Sequence, residues 1–113
     1  MSLWSFEPGD IVDRNGTVIG RVAMDGTVVS WSGAFVGCVR GDGAVFDFRS
    51  DHVGRVDENG LLRDWAGYVI GSVRDNGIVL DYGRTEIGQV VGMPLRLAGG
   101  AAILMLILRM VNS

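Results

Sequence analysis

Lysine is absent from this chain of 113 residues, and all ten basic side chains are arginine. That excludes a Schiff-base lysine and a phosphate-loop lysine outright. The arginine bias itself is read most simply as base composition of the coding sequence. Cysteine is nearly absent as well. Cys38 stands alone, so no intramolecular disulfide can form, and a reducing compartment is the easier assumption. His52 is the single histidine, which with Cys38 leaves too few ligands for a zinc site. No nucleophile or oxyanion motif surrounds it, so His52 reads as a surface residue on a strand. Only two prolines accompany eighteen glycines, which argues against a disordered linker and for many tight turns. Residues 1–7 lack both a basic start and an apolar run, unlike a secretory leader. The cytoplasm is the favoured location, with membrane association the alternative.

Charge of one sign is also missing where nucleic acid would need it. All thirteen acids lie between Glu7 and Glu86 with only eight arginines among them, leaving that stretch at −5. Only Arg96 and Arg109 follow. An acidic body without a basic stripe is a poor partner for phosphates, and no nucleic acid is expected.

What the chain does have is a strict repeat. Gly20, Gly37, Gly54, Gly71 and Gly88 recur every 17 residues, as do Val22, Val39, Val56, Val73 and Val90. Gly9, Gly26, Gly43, Gly60 and Gly77 keep the same interval. The units are 6–22, 23–39, 40–56, 57–73 and 74–90, without insertion. Each reads as two strands and two turns. Between units stand Asp25-Gly26, Asp42-Gly43, Asn59-Gly60 and Asn76-Gly77, which predict type I′ hairpin turns; unit one has Pro8-Gly9 there. Within units, Asp13 to Gly16, Ser30 to Gly33 and Asp64 to Gly67 predict type I turns closed by a left-handed glycine. Ser50 and Arg84 take the glycine place in units three and five.

Ile11, Val28, Val45, Leu62 and Val79 form an apolar column in the first strand, and Ile19, Val36, Val53, Ile70 and Ile87 form another in the second. The other face holds Val12, Val29, Phe46 and Leu80, with Arg63 the exception, so both faces want cover. A lone two-stranded ribbon cannot supply it, whereas ribbons set around an axis can. Glycine in mid-strand fits close backbone approach. The expectation is all-β: five 17-residue β-hairpin repeats closed into a pseudo-fivefold ring over residues 1–94, plus a short apolar C-terminal helix within 95–113.

The pattern Asx-Gly-x-Val-x-Asp-aromatic-x-Gly-x-x-Val-Gly-x-Val, clearest from Asn76 to Val90, resembles the small repeats of bacterial β-flower proteins in their four-fold and five-fold forms. The resemblance covers residues 6–90 and implies a flower-like ring that could be pore-like. It implies no activity.

Residues 97–108 pass without a charge. As a helix they would span roughly 18 Å, short of the ~30 Å hydrocarbon core, and a β-strand from Ile103 to Leu108 is the alternative. Five Ile and Leu side chains, from Ile103 to Leu108, are worth roughly 8–15 kcal/mol of burial as an upper estimate. The segment must be covered: by the mouth of its own ring, by a second subunit through residues 97–111, or by a bilayer. The first is favoured.

Asp13, Asp47, Asp64 and Asp81, with Ser30, share one repeat position. A cation-binding ring is conceivable there, but turn capping is the simpler role. Arg14, Trp31, Phe48, Trp65 and Tyr82 share the next position and could form a binding rim, although packing between hairpins is favoured. Cys38 replaces Arg21, Arg55, Ser72 and Gln89, as a partly exposed thiol would. No cofactor or resident metal is expected. The functional expectation is a non-enzymatic structural or binding module on a rigid ring; the alternative is a membrane-associated or pore-like assembly using the C-terminal segment.

Overall fold

The computed structural model describes residues 6–108. It contains β1 (Asp10–Asp13), β2 (Val18–Val22), β3 (Thr27–Ser30), β4 (Phe35–Val39) and β5 (Ala44–Asp47). These are followed by β6 (His52–Val56), β7 (Leu61–Asp64), β8 (Val69–Val73), β9 (Ile78–Asp81) and β10 (Glu86–Val90). Helix α1 (Leu95–Ala102) comes next and runs directly into a π-helical segment, Ile103–Ile107. Each strand pairs antiparallel with its chain neighbours, and β1 pairs with β10, so the sheet closes into a barrel of ten strands. Closure leaves no unpaired edge for aggregation or slippage. At the seam, the buried Asp10 carboxylate accepts hydrogen bonds from Arg21 Nε and Nη2 (3.1 and 2.8 Å) and from the Glu7 N–H (2.8 Å).

The turns between units are not type I′. Gly26, Gly43, Gly60 and Gly77 have φ of 84–92°, but the Asx residues before them do not have positive φ. Gly26 N–H bonds to Ala23 O (2.9 Å), just as Gly16 N–H bonds to Asp13 O (3.0 Å) within a unit. Both kinds of turn are therefore four residues closed by a left-handed last residue, the type I plus bulge geometry. The Asx side chain explains the difference: Asp25 and Asp42 accept the N–H two residues on, from Thr27 and Ala44 (2.9 and 3.0 Å). That contact suits the third turn position, which leaves glycine the fourth. Ser50 and Arg84 adopt the left-handed conformation too, at φ 67° and 66°.

One bulge recurs in each hairpin. Ile11 lies opposite Gly20 but Val12 lies opposite Val18, so Ile19 has no partner. The same slip frees Val36, Val53, Ile70 and Ile87. An extra residue bends the strand and re-aims its side chain. These five all pack on the apolar core, which plain alternation from Gly20 and Val22 would not allow.

The lumen is solid. Ile11, Val28, Val45, Leu62 and Val79 are fully buried, and Val22, Val39, Val56, Val73 and Val90 are nearly so. The C-terminal segment threads between them along the axis, rather than lying across a mouth. Ala98–Ile107 are buried throughout. Gly99 and Gly100 let α1 settle against the wall: a Cβ on Gly99 would meet Val56 Cγ1 at 2.7 Å, and one on Gly100 would meet Val39 Cγ1 at 2.6 Å. Further in, each mid-strand glycine faces a different residue of the π-helical segment. The nearest side-chain contacts are Met105 for Gly20, Leu104 for Gly37, Ile103 for Gly54, Ile107 for Gly71 and Leu106 for Gly88. Five consecutive residues thus sweep once around the wall. An α-helix turns every 3.6 residues and would fall out of step; the wider i→i+5 winding keeps pace.

The outer face is only partly covered. Val12 is buried, whereas Val29, Phe46, Arg63 and Leu80 are half-buried. Arg40 lies 4.4 Å over the Phe46 ring, and Arg63 Nε bonds to Asp57 Oδ2 (2.9 Å). Arginine stems there do the covering that a second protein layer would otherwise do. Of the 97–111 stretch considered for an oligomer contact, residues 109–111 lie outside the described residues, as do residues 1–5 of the N-terminus.

Candidate functional site: the open mouth of the barrel

The within-unit turns gather at the end of the barrel opposite the start of α1. Each begins with the Asp or Ser of the repeat. Asp13 Oδ1 accepts N–H bonds from Asn15 and Thr17 (2.9 and 3.0 Å), and Asp47 does the same for Arg49 and Asp51 (2.9 and 3.0 Å). Asp64 takes Ala66 and Tyr68 (2.9 and 3.0 Å), and Asp81 takes Thr85 (2.9 Å). Ser30 Oγ accepts Ala34 N–H at 3.2 Å. One carboxylate oxygen of each Asp is thereby spent on its own turn. The described residues hold no group of three or more His, Cys, Asp or Glu that could bind a metal ion.

The next residue in each turn stands out from the protein. Trp31 is 77% exposed, Phe48 60%, Trp65 73% and Tyr82 77%. They do not pack between hairpins as expected. Each instead stands in the second place of its turn, beyond the paired strands. Arg14 is exposed at the same position. Arg49 lies 5.2 Å from the centre of the Phe48 ring.

A cavity of ≈ 820 Å³ opens at this mouth. Its floor is Leu104, Ile107 and Leu108, at the last of the described residues. Bulge residues Val36, Val53, Ile70 and Ile87 form its wall. Its rim carries Asp47 and Phe48, Asp64 and Trp65, Asp81 and Tyr82. The structure brings together three of the five rim turns and leaves out two. Those three are the units in which the repeat has both an acid and an aromatic; unit one pairs Asp13 with Arg14, and unit two pairs Ser30 with Trp31. The floor and wall went unforeseen, although the departures of units one and two from the pattern were visible in the sequence. An apolar bowl with a few polar groups, at this volume, is the usual shape of a small-molecule site.

The remaining candidates lie elsewhere. His52 is exposed on β6, 5.3 Å from the Phe46 ring, and Cys38 is half-buried on β4. A second cavity of ≈ 530 Å³ lies at the opposite end, where Arg40 and Arg96 face Asp25 and Glu58 around Pro94 and Leu95. Shifted titrations also fall away from the mouth. The backbone N–H of Thr27 holds Asp25 below the ordinary carboxylate value, and that of Ala44 does the same for Asp42. Hydrogen bonding to Asp10 raises Arg21.

The barrel, the bulges and the turns can now be set beside known proteins. A family model described as 4-fold beta flower protein matches residues 10–93. The chain belongs to that family. The match runs from the first residue of β1 to just short of α1, so the axial segment and the cavity floor lie beyond it. The description speaks of four-fold proteins, whereas this chain carries five 17-residue units in sequence. No curated protein and no solved structure matches the chain. No helix among the described residues is long and apolar enough to cross a membrane.

Proposed function

We propose that this β-flower chain is a non-enzymatic binding module: a rigid, pseudo-fivefold ring of five hairpins, stoppered along its axis, that holds a small apolar ligand in its open mouth. The recurrence of the glycine contact in β2, β4, β6, β8 and β10 supports the ring, since each is met by one residue of a single turn of chain. The observation that carries the binding reading is the cavity itself. Apolar wall and floor residues line a bowl that no described side chain fills, beneath aromatic rings exposed by 60–77%. Exposed aromatics above an apolar pocket are the usual anchors of a bound partner.

The test is saturable binding of a neutral apolar dye such as Nile red, followed by its fluorescence. One site per chain is expected, weakened about five- to thirtyfold by Trp65→Ala, since an aromatic contact buried on binding is worth about 1–2 kcal/mol. Absence of saturable binding by the full chain would contradict the reading.

The alternative is a membrane-associated or pore-like assembly through the C-terminal segment. Burial of Ala98–Ile107 works against it, because insertion would strip the lumen of its filling. Flotation of the full chain with liposomes would favour the alternative. A homo-oligomer through the same segment meets the same obstacle.

A further inference from the structure

The ligand class can be narrowed, on the footing that the mouth is a binding site. Among the described residues, every charged side chain lining the cavity is acidic: Asp47, Asp64 and Asp81. No described arginine lines it, although Arg49 and Arg84 lie in the same turns. Each of these carboxylates uses Oδ1 on its own turn, and among the described residues no hydrogen bond or ion pair engages Oδ2. Beside each stands an exposed aromatic ring: Phe48, Trp65 and Tyr82. Aromatic faces and free carboxylate oxygens both attract cations, and the faces suit a large, weakly hydrated cation better than a metal ion. Below them the bowl is apolar.

We propose that the mouth binds an organic cation of the alkylammonium type, its charged head among the three acid–aromatic pairs and its alkyl chain on the floor. The repeat itself supports this assignment. The two units that lack the pair, one through Arg14 and the other through Ser30, are the two whose rim turns do not line the cavity. Recognition is by charge as well as by apolar area, so the site rejects anionic amphiphiles of the same length.

Displacement of Nile red from the full chain by three ligands of equal chain length tests this: octyltrimethylammonium, 1-octanol and octyl sulfate. Octyltrimethylammonium is expected to displace the dye at a concentration at least about tenfold lower than either of the others. In the variant D47N/D64N/D81N that advantage is expected to shrink at least about threefold, the remainder resting on the aromatic faces. Asparagine keeps the Oδ1 acceptor that each turn uses, and an unchanged melting temperature checks that the barrel is intact. Equal displacement by all three ligands, or a cation preference unchanged by the triple substitution, would overturn the cation assignment and leave the apolar bowl standing. Failure of the dye itself to bind would overturn both.

Discussion

The lumen and the mouth are made by the same repeat, yet they treat it differently. In the lumen the repeat is strict: the mid-strand position is Gly in every unit, the position two residues on is Val, and the first-strand position is Ile, Val or Leu at full burial. At the mouth the acid becomes Ser30 once, the aromatic becomes Arg14 once, and the turn glycine becomes Ser50 and Arg84. Close packing explains the first behaviour, because a methyl group too many or too few is felt in a filled core. Exposed turns tolerate change, so what they retain reflects use as much as stability. The two regions should therefore fail in different ways.

The largest effect should come from emptying the lumen. Ile103 is fully buried against the Gly54 strand, and Ile103→Ala should cost about 2–5 kcal/mol in denaturant unfolding. Gly100→Ala should cost about 1–3 kcal/mol by overpacking Val39, although the same change in an exposed helix would gain roughly 1 kcal/mol. A stabilised Gly100→Ala protein would mean that α1 does not sit against the wall. At the seam, Asp10→Ala should lose about 1–3 kcal/mol, since it leaves the Glu7 N–H without its acceptor and Arg21 with Glu7 Oε2 alone.

Mouth substitutions should leave stability nearly alone or improve it. Trp65→Ala should move it by no more than about 0.5 kcal/mol while weakening dye binding. Arg84→Gly should stabilise by about 0.5–1 kcal/mol, as the left-handed conformation costs glycine nothing. The smallest effect concerns pH. Asp25 and Asp42 are held below the ordinary value of 3.8, so their contribution is complete above it and is lost as pH falls through their lower folded values. Melting temperature should therefore fall less steeply with acid in D25N/D42N than in the parent, the variant lying slightly lower at neutral pH and the two converging as the carboxylates protonate.

Much of the barrel was legible in the sequence because a constant period, two-stranded units and apolar residues on both faces leave few other ways to bury them. The turns between units were misread, because Asn-Gly and Asp-Gly signal type I′ only when the Asx residue itself takes positive φ. In this chain Asp25 instead spends its side chain on the Thr27 N–H. Apolarity announced that residues 97–108 would be covered, but not by what. The column of mid-strand glycines was the overlooked signal, since a wall without side chains needs an axial filler. The π-helical winding has no mark in local propensity; it follows from fitting Ile103–Ile107 to that wall. The cavity was half legible. Its acids and aromatics were placed at two neighbouring repeat positions, with a rim considered but turn capping and packing between hairpins favoured, whereas its floor and its wall of bulge residues were not foreseen.

Nuclear Overhauser contacts in the full chain test the axial segment most directly. The account predicts cross-peaks from the Ile103 methyls to the Gly54 α-protons, from Ile107 to Gly71, from Leu106 to Gly88, from Leu104 to Gly37 and from Met105 to Gly20. Amides of residues 98–107 that exchange at unprotected rates, with those cross-peaks missing, would contradict it and remove the floor from the proposed site.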